Sequence, residues 1–141
     1  MTIHTERSAL GEALDRVGDR WTLLLVEAML DGPRRFGDLQ TAVPGIAPNV
    51  LTQRLRHLER EALVVARPYS RRPPRFTYEL SESGAELAGA LRLLADWGAR
   101  HSDDVETLQH EPCGTSLEAR WWCPSCGVVV DDAEAAASEM V

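Results

Sequence analysis

The pattern of apolar and polar residues divides the chain into helical and strand-like stretches. Apolar side chains recur every three or four residues over 6–17, and residues 20–30 are apolar on nearly every side. These periods predict an amphipathic helix and then a central core helix, which Asp19 can cap. A short strand over 34–36 and a brief helix over 37–42 are predicted to follow.

The next predicted helix, over residues 48–61, has two distinct faces. Pro48 suits its first turn, where the missing N–H leaves no hydrogen bond unmade. Three leucines recur at i, i+4 and i+7 and therefore share one buried stripe: Leu51, Leu55 and Leu58. At ~100° of rotation per residue, the opposite face presents Asn49, Gln53, Arg56 and Arg60.

Two alternating stretches, 63–69 and 76–80, predict a pair of strands. The residues between them, 70–75, are rich in proline and arginine and predict an exposed hairpin loop. A long helix is then expected from Ser81 to about His101, where Gly84 sits early enough to be tolerated. Its apolar stripe is wider than one small core can cover, which favours a dimer interface. Packing on its own domain is the alternative.

Length and composition set the broad class of the protein. A chain of 141 residues with 44% hydrophobic content can form one compact domain with a small appendage. The predicted elements give an α+β fold that is mostly α. No apolar run approaches the roughly 20 residues that span a bilayer, and the first residues lack the features of a signal peptide. We therefore expect a cytoplasmic protein with no membrane partner.

Charge is distributed unevenly along the chain. The formal net charge is −7, yet between Pro33 and Arg75 nine arginines stand against three acidic residues. That stretch therefore carries +6 and leaves −13 for the rest of the chain. A local basic surface attracts phosphate, while an acidic remainder limits indiscriminate adsorption. This distribution favours double-stranded DNA as a partner.

Several motifs in order resemble the HxlR-type transcriptional regulators, which are MarR-like winged helix-turn-helix proteins. The resemblance covers residues 6–101 and rests on Gly18-Asp-Arg-Trp-Thr-Leu-Leu-Leu, Gly32-Pro-Arg-Arg-Phe-Gly-Asp-Leu, Pro44-Gly-Ile, Val50-Leu-Thr-Gln-Arg-Leu, Tyr78-Glu-Leu-Ser and Leu94-Ala-Asp-Trp-Gly. It implies a winged helix domain with flanking dimerisation helices. It also implies a homodimer that represses or activates transcription from an operator with two half-sites.

Two positions depart from the family's pattern. Members often carry a cysteine just before the first helix, where this chain has Ile3-His4-Thr5-Glu6, so a thiol switch at that point is excluded. Many members also have serine where Ala47 stands. Losing that side-chain cap costs about 1 kcal/mol, which Pro48 partly offsets by presetting φ.

The predicted DNA-binding surface combines helix 48–61 with hairpin loop 70–75. Base readout in the major groove needs donors and acceptors near the start of the inserted helix. The expected base readers are Asn49, Gln53 and Arg56, flanked by Thr52 and His57. The expected contacts to phosphates or the minor groove are Arg71, Arg72 and Arg75, with Arg34 and Arg35 adding backbone contacts. The alternative is an ordinary solvated helix face with surface salt bridges, for example between Arg56 and Glu59 or between Arg60 and Glu61.

The three cysteines all lie in a C-terminal segment, residues 108–130. His110-Glu-Pro-Cys113 and Cys123-Pro-Ser-Cys126 have the spacing at which a tight turn presents two ligands to one ion. They predict a zinc-ribbon-like knuckle with a closed, structural Zn²⁺ site and a β-hairpin arm over 117–122. His101 or an acidic side chain could replace His110. The rivals are a redox-active dithiol and an unmetallated tail, and residues 131–141 are expected to fray.

A homodimeric, sequence-specific DNA-binding regulator is the function that these features favour. One alternative is a thiol- or redox-responsive protein that uses Cys123 and Cys126. The other is a protein-interaction module built from the acidic ends and the knuckle. No nucleophile–base pair, phosphate loop or paired acids indicate an enzyme. A small-molecule effector would fit a pocket near the long helix, although no residue identifies it.

Overall fold

The computed structural model describes residues 8–136. The described residues divide into two compact units, Gly11–Leu91 and a second that contains residues 92–136 with residues 8–10. The predicted domain boundaries, 6–101, 108–130 and 131–141, stay a prediction. The predicted start at residues 6–7 and the last part of the predicted tail, 137–141, lie outside the described residues.

The first unit combines helices with one small antiparallel sheet. Its elements, in chain order, are α1 Ala9–Val17, α2 Arg20–Met29, β1 Arg34–Arg35, α3 Phe36–Ala42, α4 Pro48–Arg60, β2 Val64–Arg71, β3 Pro74–Leu80 and α5 Glu82–Ala85. A further helix, α6 Ala88–Arg100, begins in this unit and continues into the second. This order confirms the predicted α+β winged helix fold.

The core of the first unit lies between α2, α3, α4 and the sheet. The α4 stripe of Leu51, Leu55 and Leu58 is buried as predicted, because helical periodicity places the three side chains on one face. From α2 the core receives Leu25, Val26 and Met29. Leu24 is 37% exposed, so α2 is buried on most sides and not all round.

The two central helices, α2 and α4, begin in different ways. Asp19 caps α2 as predicted, since its Oδ1 accepts hydrogen bonds from the backbone N–H groups of Trp21 at 2.9 Å and Thr22 at 3.2 Å. Ala47 precedes α4 in an extended conformation and offers no side-chain cap. Pro48 occupies the start of α4, where its fixed φ suits the first turn.

The β2–β3 hairpin is longer than the sequence predicted. The sheet order is β1-β3-β2, with Arg71 paired to Pro74, so the turn contains Arg72 and Pro73 where a six-residue loop was expected. Proline normally interrupts a strand because it lacks an N–H donor. Here β2 is an edge strand whose register shifts between Pro68 and Ser70, and such strands accommodate proline.

The prediction of one long helix from Ser81 to His101 is wrong in one respect, because the helix is interrupted between α5 and α6. The N–H of Leu87 donates to the Gly84 carbonyl at 3.2 Å, a three-residue turn in place of helical pairing. The sequence suggested only that glycine is tolerated at position 84, but the structure requires it. A Cβ there would lie 2.1 Å from the Leu63 carbonyl oxygen, so the close approach requires glycine.

The second unit continues α6 and adds two small hairpin-like turns. Its further elements are β4 Trp121–Cys123, β5 Val128–Val130 and α7 Asp132–Ala136. β4 and β5 are antiparallel, and an isolated bridge joins Gln109 to Ser116. The hairpin arm predicted over 117–122 is confirmed only at Trp121 and Trp122, which belong to β4; residues 117–120 are not in a strand.

A short helix forms where the sequence predicted a frayed acidic tail. Near the start of this helix, α7, Asp131 Oδ1 accepts a hydrogen bond from the Glu134 N–H at 2.7 Å. Among residues 8–136, no helix combines the length and the apolar character that a membrane span requires.

Candidate nucleic-acid interface

The first half of α4 is fixed to the start of α2 through a polar contact. Arg54 Nε donates a hydrogen bond to Asp19 Oδ1 at 3.0 Å, the same oxygen that caps α2. Burial acts to raise the pKa of Asp19, but the hydrogen bonds from Arg54 and the backbone N–H groups outweigh it and hold that pKa below its usual value. One carboxylate therefore orients both helices.

The last turn of α4 is fixed to α1. Arg16 Nε pairs with Glu61 Oε2 at 2.7 Å, and its Nη2 donates to the Glu61 carbonyl at 3.0 Å. His57 Nε2 lies 2.6 Å from the Arg16 carbonyl oxygen, within hydrogen-bond distance. With its apolar stripe buried and polar contacts at its middle and its last turn, α4 is fixed against α1 and α2.

Three of the predicted base readers project from α4 without intramolecular partners. Asn49, Gln53 and Arg56 are exposed, and within residues 8–136 their side chains make no hydrogen bond or ion pair. The salt bridge that a merely solvated face predicts between Arg56 and Glu59 is absent from the described residues. Glu61 pairs instead with Arg16.

The three predicted phosphate contacts on the hairpin are similarly unpaired. Arg71 ends β2, Arg72 lies in the turn and Arg75 follows at the start of β3. All three are exposed, and in the described part of the chain none of their side chains forms a hydrogen bond or an ion pair. The hairpin therefore carries three cationic groups toward solvent.

The other four predicted contacts are occupied within the fold. Thr52 Oγ1 donates to the Pro48 carbonyl at 3.0 Å, and His57 is held against Arg16 as described above. Arg34 is half-buried, and its Nε donates to the Ala28 carbonyl at 3.2 Å. The Arg35 guanidinium lies 4.6 Å from the centre of the Tyr69 ring.

Tyr78 of β3 connects the sheet electrostatically with α4. It is half-buried, and its burial, together with the charge of Glu59, raises the pKa of its phenol, which Arg56 opposes. The phenol is therefore neutral at physiological pH. α4 also contacts β2 of the hairpin, so the helix and the hairpin are neighbours in the first unit.

Sequence reasoning missed the contacts that fix α4. Asp19 was expected to cap α2, but its bond to Arg54 joins residues 35 positions apart, and the Arg16–Glu61 pair joins residues 45 positions apart. Separations of that size leave no periodic signal. The contact between Arg35 and the Tyr69 ring likewise joins residues that are distant in the sequence.

The second unit brings each predicted ligand pair together but does not gather all four ligands. His110 Nδ1 lies 3.3 Å from Cys113 Sγ, and the Cys126 N–H donates to Cys123 Sγ at 3.4 Å. Among residues 8–136, no group of three or more His, Cys, Asp or Glu side chains is close enough to hold one metal ion. The four-ligand Zn²⁺ site therefore stays a prediction.

In each turn, hydrogen bonds with neighbouring groups lower the pKa of one thiol. Hydrogen bonds with the hydroxyl and backbone N–H of Thr115 lower the pKa of Cys113. The backbone N–H of Cys126, its side chain and the backbone N–H of Ser125 lower the pKa of Cys123. Both environments favour the thiolate form, which is the form that binds metals and reacts with oxidants.

Comparison with known proteins agrees with this geometry. The HxlR-like helix-turn-helix profile matches residues 16–106. The HTH-type transcriptional regulator Rv3095 of Mycobacterium tuberculosis is 38% identical over 126 residues, which cover 86% of this chain and 79% of that protein. Since 86% of 141 residues is about 121, this similarity continues beyond residue 106, where the family profile ends.

Solved structures show the same fold. The redox regulator HypR in its reduced form superposes with a TM-score of 0.64 at 32% identity, covering 68% of this chain and 95% of that one. The HTH-type transcriptional regulator YtcD superposes with a TM-score of 0.62 at 35% identity, covering 67% and 97%. YtcD is a protein of Bacillus subtilis. The chain therefore belongs to the HxlR-like helix-turn-helix family, a family of DNA-binding transcriptional regulators and not of enzymes.

Proposed function

We propose that this regulator reads the major groove with α4 and holds the DNA backbone with the β2–β3 hairpin. The observation that carries the proposal is the division among the ten predicted contacts. Six of these side chains are exposed and unpaired within residues 8–136, on α4 and on the hairpin. The other four are occupied by hydrogen bonds or ring stacking.

An unpaired side chain can move onto DNA without first breaking a bond inside the protein. A paired one must give up an interaction worth about 0.5–1.5 kcal/mol. We therefore assign the direct contacts to the unpaired set and a positioning role to the paired set. The direct set is Asn49, Gln53, Arg56, Arg71, Arg72 and Arg75. The positioning set is Thr52, His57, Arg34 and Arg35.

The chemistry of the direct set suits a division of labour between bases and phosphates. The amides of Asn49 and Gln53 can each form two hydrogen bonds with an adenine edge, and Arg56 can form two with guanine. The hairpin guanidiniums match phosphate oxygens, whose contacts position a protein without reading sequence. Specificity should therefore depend on α4, and salt-dependent affinity on the hairpin.

We further propose that the regulator acts as a homodimer through α1 and α6. Both helices expose large apolar side chains: Leu10 is 65% and Leu14 52% exposed on α1, and Leu94 is 58% and Trp97 61% exposed on α6. Apolar surface of this kind commonly marks a protein interface. A two-fold dimer would place two copies of α4 on half-sites roughly 10 base pairs apart.

The division of labour is tested by direct binding measurements. Duplexes selected from a random pool by the wild-type chain provide a preferred site, and unselected duplexes provide the reference. Arg71→Ala with Arg72→Ala should weaken both equally and reduce the slope of log affinity against log salt by about two. Arg92→Ala with Arg120→Ala makes the same charge change away from the proposed surface and should leave that slope unchanged.

Gln53→Ala in the same titrations should act on specificity. It should lose about 1–3 kcal/mol of discrimination between selected and unselected duplexes and bind the unselected DNA normally. Gln109→Ala, an amide change in the second unit, is the matched control. If the hairpin and Gln53 variants both bound every duplex like the wild type, the assignment would be wrong.

The proposed dimer is tested by sedimentation velocity on the intact chain. Leu94→Asp places a charge on the exposed apolar face of α6 and should shift the protein toward monomer and weaken binding to the selected site. Leu108→Asp makes the same change at another exposed leucine, 50% accessible, and should leave the dimer intact. A wild-type protein that sediments as a monomer at micromolar concentration would contradict the proposal.

A further inference from the structure

The second unit contains two turns with the same backbone geometry. In each, a glycine follows the second residue of a ligand pair and adopts positive φ, +70° at Gly114 and +67° at Gly127. The N–H of that glycine donates to the carbonyl of the first residue of the pair, at 2.7 Å to His110 and 2.8 Å to Cys123. Two independent stretches of sequence have thus converged on one turn.

This turn directs the two side chains of each pair toward one another. His110 Nδ1 and Cys113 Sγ are 3.3 Å apart, and the side chain of Cys126 interacts with the thiol of Cys123. In the second turn the Cys126 N–H also donates to Cys123 Sγ at 3.4 Å, a bond that stabilises a thiolate. Each turn is therefore built to present two metal-binding atoms side by side.

Apolar burial cannot hold these turns in place. From Ser102 to Glu134 no residue is buried. The large apolar side chains of the β4–β5 hairpin are exposed: Trp121 is 55%, Trp122 61%, Val128 50% and Val129 54% accessible. A two-stranded hairpin without a covered face is marginal in water at best. Segments of this size usually depend on a disulfide, a metal or a partner for their stability.

We propose that residues 108–130 bind one Zn²⁺ through His110, Cys113, Cys123 and Cys126, and that the ion holds the two turns together. One imidazole and three thiolates form a donor set typical of structural zinc. Each thiol gives up its proton to solvent on binding, while His110 coordinates in its neutral form. Four protein ligands leave no open position for water, so the site is structural and not hydrolytic.

Zinc binding requires the two turns to approach each other. Within the described residues, no three candidate ligands are close enough to share an ion. Gly114 to Trp122, the nine residues between the two pairs, must therefore adjust. A redox-active dithiol would involve Cys123 and Cys126 only. It would not account for the matching turn at His110 and Cys113, whereas a shared metal ion accounts for both turns.

Metal content tests the proposal on the full chain. Protein expressed with added zinc and purified under reducing conditions should carry about one zinc per chain, as elemental analysis measures. Replacing Zn²⁺ by Co²⁺ should give the intense visible bands of a tetrahedral cobalt site and a thiolate-to-cobalt charge-transfer band. Protein without zinc, or with one zinc per two chains, would overturn the single-chain site.

Ligand variants test the identity of the four donors. Cys113→Ser, Cys126→Ser and His110→Ala should each weaken zinc retention by at least about tenfold, since even indirect partners of a ligand contribute that much. His101→Ala is the control for the histidine and should retain the metal. Loss of zinc from the His101 variant with retention by the His110 variant would overturn the assignment of His110. Retention by both cysteine variants would overturn the site.

Trypsin provides a readout of the metal's structural role that does not depend on DNA. Arg120 is the only arginine or lysine after Arg100, and it lies between the two ligand pairs. Cleavage there should be several-fold slower in the zinc-loaded chain and should accelerate after chelation. Cleavage at Arg71, in the first unit, should not change. An equal rate at Arg120 with and without zinc would refute the claim that the ion holds the two turns together.

Discussion

The two units of this protein are stabilised in different ways. In Gly11–Leu91, α2 and α4 bury their apolar faces against one another, and polar contacts from Asp19 and Arg16 fix the middle and the last turn of α4. From Ser102 to Glu134, by contrast, no residue is buried and the order resides in backbone turns. A core fixes a recognition surface without any ligand, whereas turns of this kind need an external bond to become rigid.

The largest expected effect tests whether the core belongs to the first unit. Leu25→Ala removes a side chain with 0% exposure and should lower the free energy of unfolding by about 2–5 kcal/mol, because a cavity remains. The same change at Leu117, which is 44% exposed, should stay within about 0.5 kcal/mol. Urea denaturation of both variants provides the measurement. Similar losses at the two positions would contradict the contrast between the units.

A smaller effect is expected at the break between α5 and α6. Gly84→Ala forces a Cβ to within 2.1 Å of the Leu63 carbonyl oxygen, so the backbone must shift, at about 1–3 kcal/mol of stability. Gly89→Ala meets no atom within 4 Å and should raise stability by up to about 1 kcal/mol. Thermal unfolding distinguishes the two. A stabilising Gly84→Ala would show that the close approach does not constrain the fold.

The smallest expected effect concerns the carboxylate that joins α2 to α4. Asp19→Ala should lower the free energy of unfolding by about 1 kcal/mol, the typical value of a lost helix cap. Because the pKa of Asp19 is lowered in the folded protein, its contribution is complete well above the ordinary aspartate pKa of ~3.9 and is lost as the pH falls through the folded value.

Unfolding curves for the wild type and Asp19→Ala should therefore differ at pH 7 and converge in acid. Asp103→Ala, an exposed acid of the second unit, serves as the control and should match the wild type at both pH values. A difference between the wild type and Asp19→Ala that grew as the pH fell would reverse the sign of this prediction.

Local periodicity made much of the first unit predictable. The i, i+4, i+7 spacing of Leu51, Leu55 and Leu58 identified the buried face of α4, and helix geometry then placed Asn49 and Gln53 on the outside. Hydrogen bonds and side-chain contacts within a helix join near neighbours in the chain. Their pattern is therefore visible in the sequence.

The extent of the hairpin and the break after Gly84 were less accessible. Proline content suggested a wide loop over 70–75, but Pro73 lies in the turn and Pro74 is the first residue of β3, a strand position that tolerates proline, so only a two-residue turn remains. Gly84 gave no sign that the Leu63 carbonyl would approach it, since Leu63 is distant in sequence and close in space. Such features depend on which strands and helices meet.

The sequence by itself determined the order of helices and strands, the polar face of α4 and the spacing of the two ligand pairs, because each is a local pattern. Tertiary structure decided which of the ten predicted DNA contacts are unpaired. Arg34 lies against the Ala28 carbonyl and His57 against that of Arg16, whereas Arg71 and Arg56 have no such partner among the described residues. For His57 and Arg35 that distinction depends on contacts with residues distant in the sequence, which only the folded chain brings together.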